Sequence, residues 1–238
     1  CSCRFLGVPT TAEVKRLIQQ HALGDLYHLS FVQRAQRGRP GIEYQPSSRW
    51  FLDRSKSGGG PLMDWGPYDF ATLNDLLLPV RVDVVNAWMT RPITAADPSD
   101  VVFDIEEHVA ASLRYHQADG TVVHVTYERA ACTHGAPREV MELEGMAGAV
   151  RCDWLMWGSD GTVSYTMDQA GQPATQTTTL SAQDEVTFHD RPLVYFYRRT
   201  QGQAAPVAVN AEAIFNFACI LAIYTCAGSC QPQSVVRG

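Results

Sequence analysis

The sequence has no G-x-G-x-x-G turn, the glycine-rich loop that holds the phosphates of a dinucleotide at the start of a helix. We therefore expect these 238 residues to lack a complete nucleotide-binding domain. There is also no apolar run of the ~20 residues that a membrane span needs, and no signal peptide opens the chain. The longest apolar stretch, 213–227, is interrupted by Asn216 and predicts a buried helix. The resulting expectation is a cytoplasmic protein without a membrane partner.

Paired cysteines and an excess of basic charge are missing as well. The seven cysteines form no C-x2-C pair, so we predict reduced thiols and no metal site. A cysteine-based redox or metal site is the weakest alternative, and it would draw on Cys1, Cys3, Cys226 and Cys230. A net charge of −6 and a pI near 5.6 disfavour nucleic acid as a partner, because phosphate binding requires a basic face.

Hydrophobic periodicity predicts an α+β fold, with an open, mostly antiparallel sheet of about six strands and helices packed on one face. The hydrophobic content of 45% with 18% charged residues is ordinary for a globular chain. The predicted strands span 26–33, 80–88, 103–116, 121–128, 139–143 and 149–154, and the predicted helices begin at Pro9 and Pro61 and cover 206–227. The stretch 158–161 and the Thr- and Gln-rich stretch 169–179 are expected to form exposed turns with a weak edge ribbon between them.

The most informative stretch is S-G-G-G-P-L-M-D-W-G-P-Y-D at 57–69. Its three glycines allow a ligand or another chain segment to approach the backbone closely. Pro61 suits the first turn of a helix, and Asp64 and Tyr68, four residues apart, would share one face of that helix. Pro67 predicts a kink or a restart within it. A carboxylate and a phenol side by side indicate a small acid/base site.

The residues R-W-F-L-D at 49–53, followed by the glycines and D-W-G-P-Y at 64–68, resemble the sugar-oxidoreductase superfamily of glucose-fructose oxidoreductase, inositol dehydrogenase and the MocA proteins. In that family W-R-x-D, a GGG turn and D-x-G-x-H or D-x-G-x-Y open the C-terminal, substrate-binding domain. Two positions depart from the common pattern, since Phe51 stands where arginine is common and Tyr68 where many members have histidine.

The resemblance implies that residues 1–24 are the end of a nucleotide-binding domain with a crossover helix. Residues 25–238 would then be the C-terminal substrate-binding and dimerisation domain. On this reading the chain is the C-terminal part of a longer protein. We expect it to be inactive alone, because NAD or NADP would be bound mainly by the preceding domain.

The activity that the resemblance implies is that of an NAD(P)-dependent oxidoreductase acting on a sugar, polyol or related hydroxy compound. Asp64 and Tyr68 would be catalytic, orienting the substrate and taking up its hydroxyl proton. A phenol needs a nearby cation to act as a base near neutral pH. In the family that cation is the lysine of an E-K-P motif, which this sequence lacks, and Lys56 is a weak substitute and the weak candidate for cofactor contact. The predicted substrate-binding residues are Arg49, Trp50, Asp53 and His189.

An open sheet with helices on one side leaves its other face to be covered. Family members dimerise through that face, so the resemblance implies a homodimer or tetramer, and exposed aromatic residues would favour it. The candidates for this face are Trp88, Tyr115, Tyr127, Trp154 and Trp157, with core packing under the helices as the rival interpretation. A second functional hypothesis is a non-catalytic binding or dimerisation module with a lapsed active site, which fits Phe51 and Tyr68 equally well.

Overall fold

The computed structural model describes residues 3–95, 97–157, 159–181, 189–205 and 210–238. Its helices are α1 (Pro9–Gln19), the 3-10 helix Arg49–Leu52, α2 (Arg54–Ser57), α3 (Pro61–Leu77), α4 (Arg191–Thr200) and α5 (Asn210–Ser229). Its strands are β1 (Leu26–Gln36), β2 (Arg81–Thr90), β3 (His108–His116), β4 (Val122–Thr133), β5 (Arg138–Gly145), β6 (Gly148–Cys152), β7 (Gly161–Gln169), β8 (Gln172–Leu180) and β9 (Gln233–Val236). Cys1, Gly158 and the predicted helix start at 206–209 lie outside the described residues.

All nine strands of the described ranges form one sheet, in the order β8-β7-β6-β5-β1-β4-β3-β2-β9. The pairing of β1 with β4 is parallel, and the other neighbouring pairs described are antiparallel. The predicted α+β class and mostly antiparallel sheet are therefore confirmed, whereas the predicted count of about six strands is too low.

Strands β8 and β9, which the sequence does not predict, lack the usual strand signals. The stretch predicted as exposed turns, 169–179, forms most of β8, which pairs with β7 along its whole length. Its threonines are β-branched and suit an extended backbone, but the strand is exposed on both faces and shows no apolar alternation. The four-residue β9 pairs with the edge of β2. Period-2 patterning finds strands with one buried face, and neither strand offers one.

Strict alternation along β3 and β4 separates the two faces of the sheet. We call the side that carries Leu113 and Tyr127 the covered face and the side that carries Arg114 and Thr126 the open face. Helix α3 contacts β3 and β4, and α5 contacts β2 and β9. The covered face therefore holds the main hydrophobic core, whose strand residues include Leu29, Phe31, Val82, Val84, Val109, Leu113, Tyr115, Val125 and Tyr127.

Three of the five aromatic residues predicted for the open face belong to the core instead. Tyr115, Tyr127 and Trp154 are each at most 1% exposed, and all three are members of the core cluster. Trp88 is 45% exposed and pairs in register with Ala110 on the open face, where its ring contacts His108. The open face is thus largely polar. The rival core interpretation is right for the three buried rings. Tyr115 and Tyr127 stand at odd positions of β3 and β4, and the odd positions of both strands lie on the covered face.

Helix α5 passes the length and composition test for a membrane-crossing helix, with a mean hydropathy of 1.5 over its best window. It nevertheless packs against α3, β2 and β9. Asn216, the polar residue that interrupts its apolar run, accepts a hydrogen bond of 2.7 Å from Asn74 of α3. This buried amide pair fixes α5 against α3. The predicted helix is present over its described residues, but it is buried on one side only, and Ile214, Phe217 and Leu221 are exposed. Of the two alternatives predicted at Pro67, a restart is wrong, since α3 is one helix from Pro61 to Leu77, and a kink stays a prediction.

Glu107, just before β3, is a fully buried carboxyl group, and neither of its oxygens has a hydrogen-bond partner among the described residues. Burial raises the pKa of Glu107 to about 8; the Arg39 guanidinium opposes this rise, and the Glu106, Glu43 and Asp97 carboxylates add to it. The group is therefore protonated in the folded chain at pH 7 and ionised in the unfolded chain. Folding must then take up a proton over the range between the ordinary pKa of a glutamate and pH 8.

We expect Glu107→Gln to stabilise the protein increasingly as the pH rises from 5 to 8. Wild type should lose about 1.4 kcal/mol per pH unit relative to the variant in that range, because only its unfolded state ionises there. The relative loss should level off above pH 8. Urea unfolding of both proteins at several pH values measures it, with Glu139→Gln, at an exposed position, as the control. A stability difference that stays constant from pH 5 to 8 would show that Glu107 is not a buried acid.

Candidate active site

A cleft that encloses about 710 Å³ lies beside the first half of α3. Asp64, Trp65 and Tyr68 of α3 line one side of it, and the last residues of β1 and β4 line another, among them Gln33 and Arg129. Trp157 closes part of the rim. We call this feature the α3 cleft. The two residues predicted to be catalytic, Asp64 and Tyr68, therefore face one hollow.

The glycine turn positions α3 by packing against another part of the chain. The backbone N–H groups of Gly60 and Leu62 donate to Glu106 Oε1 over 3.0 and 3.2 Å. Tyr224 of α5 donates its hydroxyl to the same oxygen over 2.7 Å. A Cβ on Gly60 would lie 1.7 Å from the Glu106 carbonyl oxygen, so only glycine fits. Of the two predicted uses of these glycines, close approach by a chain segment is the one observed.

Asp64 lies one turn into α3. Before it, the backbone amides of Gly60 and Leu62 at the start of the helix are bonded to the Glu106 carboxylate. Burial raises the pKa of the Asp64 carboxyl; the positive charges of Arg129 and Arg4 oppose this rise, and the Asp69 charge adds to it. The carboxyl therefore takes up a proton at a higher pH than an exposed aspartate does. It can accept a hydrogen bond from a ligand hydroxyl or, when protonated, donate one.

Tyr68 has a cation against its ring. The Arg4 guanidinium carbon lies 5.2 Å from the centroid of the Tyr68 ring and 5.3 Å from that of Phe5. Arg4 also lies 3.4 Å from His189 Nδ1. The cation that lies against the Tyr68 ring is therefore Arg4 rather than Lys56.

Behind the cleft lies a buried ion pair. Asp69, one residue after Tyr68, accepts hydrogen bonds from Arg129 Nε (2.6 Å) and Arg129 Nη2 (2.5 Å), and from the Tyr127 hydroxyl (2.8 Å). Burial lowers the pKa of Arg129, but the Asp69 carboxylate raises it overall, so the guanidinium stays charged. Its carbon lies 5.0 Å from the Trp65 ring centroid. Two hydrogen bonds to Asp69 and the contact with the Trp65 ring thus hold Arg129 at the wall of the cleft.

Aromatic rings form the opposite, apolar side of the site. Trp65 contacts Phe5, Tyr68 and Trp157 at centroid distances of 5.8–5.9 Å. Phe5 joins the cluster to Trp154 in the core, at 5.9 Å. These rings restrict one another, so the cleft combines a fixed aromatic wall with a few polar groups. Such a combination is typical of small-molecule sites.

The other residues predicted to bind substrate or cofactor lie away from the α3 cleft. Arg49 pairs with Asp100 over 2.7 Å, and Trp50 stacks on Phe51 at 4.1 Å. Asp53 caps α2 and pairs with Lys56 over 2.8 Å. None of these four predicted residues lines the cleft, whereas Phe51 does. His189 contacts Arg4, which lines the cleft, and is not itself among the lining residues. The predicted binding roles of Arg49, Trp50, Asp53, His189 and Lys56 stay predictions.

Sequence reasoning missed Arg4, Gln33, Asp69 and Arg129. For two of them a signal exists, because Gln33 continues the buried series Leu29–Phe31 of β1 and Arg129 continues the buried series Val125–Tyr127 of β4. A polar residue at a core position of an alternating strand is a candidate for function or for a buried pair. Arg4 carries no such signal.

Neither a metal ion nor a dinucleotide fits the described residues. Within 3–95 and the other described ranges, no group of three or more His, Cys, Asp or Glu side chains could hold a metal ion. Cys1, on which the metal alternative also depends, lies outside those ranges. The amides at the start of α3, the one glycine-rich helix start, already bond to Glu106 and so offer no site for phosphates.

This chain is similar to a protein-family model and to several solved structures. A sequence model of the GFO/IDH/MocA C-terminal domain matches residues 11–164. No curated protein sequence matches the chain significantly. Among solved structures, levoglucosan dehydrogenase in complex with NADH and levoglucosan is similar with a TM-score of 0.75 and 17% identity over 98% of this chain.

Two further structures share the fold. One is an aldose-aldose oxidoreductase from Caulobacter crescentus complexed with glycerol, with a TM-score of 0.66, 20% identity and 98% of this chain covered. The other is a super-repressor mutant of Gal80p from Saccharomyces cerevisiae, with a TM-score of 0.74, 12% identity and 97% covered. This chain spans 65%, 62% and 63% of those three proteins, respectively. At such identities the similarity establishes the fold.

Proposed function

We propose that this chain, which belongs to the GFO/IDH/MocA family through its C-terminal domain, is the substrate-binding part of an NAD(P)-dependent oxidoreductase. Its substrate would be a sugar, polyol or related hydroxy compound. The observation that carries the proposal is the joint placement of Asp64 and Tyr68 in one cleft with a fixed aromatic wall. The solved relatives with NADH and levoglucosan, and with NADH and L-sorbose, support the same substrate class.

The chemistry of the cleft suits the oxidation of a carbinol. The Asp64 carboxyl would bind and orient the reacting hydroxyl, and the Tyr68 oxygen would take up its proton, with the Arg4 guanidinium packed against the phenol ring. The rings of Trp65 and Trp157 would pack against the C–H face of the sugar and exclude water. The nicotinamide cofactor would be held by residues outside those described. The chain alone would then bind its substrate without converting it.

The proposed homodimer or tetramer would use the open face of the sheet. Of the five aromatic residues predicted for that face, the exposed Trp88 supports this contact surface. A ladder of polar side chains supports it as well. In that ladder His108 bonds to Glu128 over 2.6 Å and Glu128 pairs with Arg34 over 2.7 Å. The contact would therefore be more polar than the aromatic pattern of the sequence implies.

We expect the chain to bind a neutral sugar, and tryptophan fluorescence measures it. Titration with levoglucosan, L-sorbose and glycerol should give a saturable change for at least one of them, since Trp65 and Trp157 line the cleft. Trp157→Phe should reduce the change. Trp50→Phe is the control, because Trp50 is 49% exposed and lies outside the cleft.

Two results would contradict the proposal. One is the absence of a saturable change for every sugar. The other is a signal that Trp50→Phe removes and Trp157→Phe leaves intact, which would move the site to the 3-10 helix that carries Arg49 and Trp50.

A further inference from the structure

Gln33 is a buried amide that the described chain leaves without a hydrogen-bond acceptor. It lies near the end of β1, is 4% exposed, and lines the α3 cleft. Its Nε2 has no hydrogen-bond partner among the described residues. Buried amides are nearly always hydrogen-bonded, because desolvating an unpaired donor is unfavourable. A buried, unpaired donor on a residue that lines a cleft is therefore a candidate for contact with a ligand.

The surroundings of Gln33 define what that ligand group must be. In the parallel pairing of β1 with β4, Gln33 is the direct neighbour of Arg129, so both side chains project from the covered face towards the cleft. The Asp69 carboxylate already holds Arg129 through Nε and Nη2. Two adjacent donors on one wall require acceptor oxygens on the ligand. The bidentate partner balances the charge of Arg129, so a neutral hydroxyl group suits this wall.

We propose that Gln33 is a specificity-determining residue, whose Nε2 donates a hydrogen bond to one hydroxyl oxygen of the substrate. Gln33 thereby fixes which way round the polyol enters the cleft relative to Asp64 and Tyr68. Arg129, held by Asp69, is the rigid support against which the Gln33 amide is placed. This inference rests on the proposed function, and it adds the residue that selects a hydroxyl other than the reacting one.

A structural role and a ligand-binding role of Gln33 predict opposite effects of its replacement on stability. If Gln33 Nε2 has no partner in the folded chain, Gln33→Leu removes a desolvated donor and keeps a similar volume, so thermal stability should be unchanged or higher. Residues kept for function often show this trade-off. A residue that holds the fold together would instead lower the melting temperature when replaced.

The test measures levoglucosan and L-sorbose binding to this chain by NMR titration, together with the melting temperature. Gln33→Leu should weaken the binding of the better sugar by about five- to tenfold, the effect of one neutral hydrogen bond, without a lower melting temperature. Gln117→Leu is the matched control. Gln117 lies outside the cleft, and its Nε2 donates to the Leu77 carbonyl oxygen over 2.7 Å, so affinity should be unchanged.

Singly deoxygenated analogues of the better sugar identify the hydroxyl. The analogue that lacks the hydroxyl contacted by Gln33 should bind wild type and Gln33→Leu equally weakly, because the hydrogen bond is absent from both complexes. Sugar binding that Gln33→Leu leaves unchanged, or a lower melting temperature that accounts for the weaker binding, would overturn this inference and leave the proposed function standing. Failure of wild type to bind either sugar would overturn both.

Discussion

Asp64→Asn and Tyr68→Phe are each expected to lower kcat by about 10²–10⁴-fold when this chain is joined to a nucleotide-binding domain from its family. Both changes keep the size of the side chain and remove the group that binds or transfers the proton. The two residues face one cleft on successive turns of α3, and the Arg4 cation lies over the Tyr68 ring. The loss should appear mainly in kcat, because the proton is transferred in the transition state.

Steady-state rates on the sugar that binds best measure this effect. Asp75→Asn and Tyr27→Phe are matched controls, since Asp75 lies on the same helix as Asp64 but pairs with Lys15 at the surface, and Tyr27 is 43% exposed. Both controls should keep their activity within about twofold of wild type. If the Asp64 and Tyr68 variants keep it as well, the acid/base role belongs to other residues.

Asp69→Asn is expected to destabilise the chain by about 3–5 kcal/mol, because it leaves the Arg129 guanidinium buried without its counter-charge. Asp69 is fully buried and accepts three hydrogen bonds, from Arg129 and Tyr127. Removing an exposed ion pair gives a far smaller effect, so Asp75→Asn, which breaks the pair with Lys15, should change stability by less than about 1 kcal/mol.

Urea unfolding of the single variants and of Asp69→Leu with Arg129→Met measures the pair. The double variant replaces both charges with apolar groups and should recover most of the lost stability, since no buried charge remains unpaired. A double variant as unstable as Asp69→Asn would mean that Arg129 stabilises the fold through its ring contacts rather than through the ion pair. A loss of less than about 1 kcal/mol for Asp69→Asn would mean that the pair is exposed to water in solution.

The sequence predicts those elements that carry a periodic signal. Helix α3 was expected from Pro61 and from apolar spacing, and the common face of Asp64 and Tyr68 follows from a helical separation of four. The strands with one buried face, such as β3 and β4, follow from alternation. The antiparallel character of the sheet follows in turn from short connections such as Asp119-Gly120.

What the sequence does not predict depends on contacts between distant segments. The carboxylate that receives the glycine turn comes from Glu106, 46 residues along the chain. Arg129 meets Asp69 across 60 residues, and Arg4 reaches Tyr68 from the start of the chain. Arg49, Trp50 and Asp53 are close to the glycines in sequence, but they do not line the cleft, and their binding roles stay predictions. Helical spacing placed Asp64 and Tyr68 together.

The central claim is that Asp64 and Tyr68 together bind a polyol in the α3 cleft, and a crystal of this chain soaked in levoglucosan tests it most directly. We predict one sugar hydroxyl within about 3 Å of both the Asp64 carboxyl and the Tyr68 hydroxyl, with the ring against Trp65. A sugar bound instead in the second cavity, of about 320 Å³ beside Asn74 and Asn216, with the α3 cleft left to water, would contradict the account.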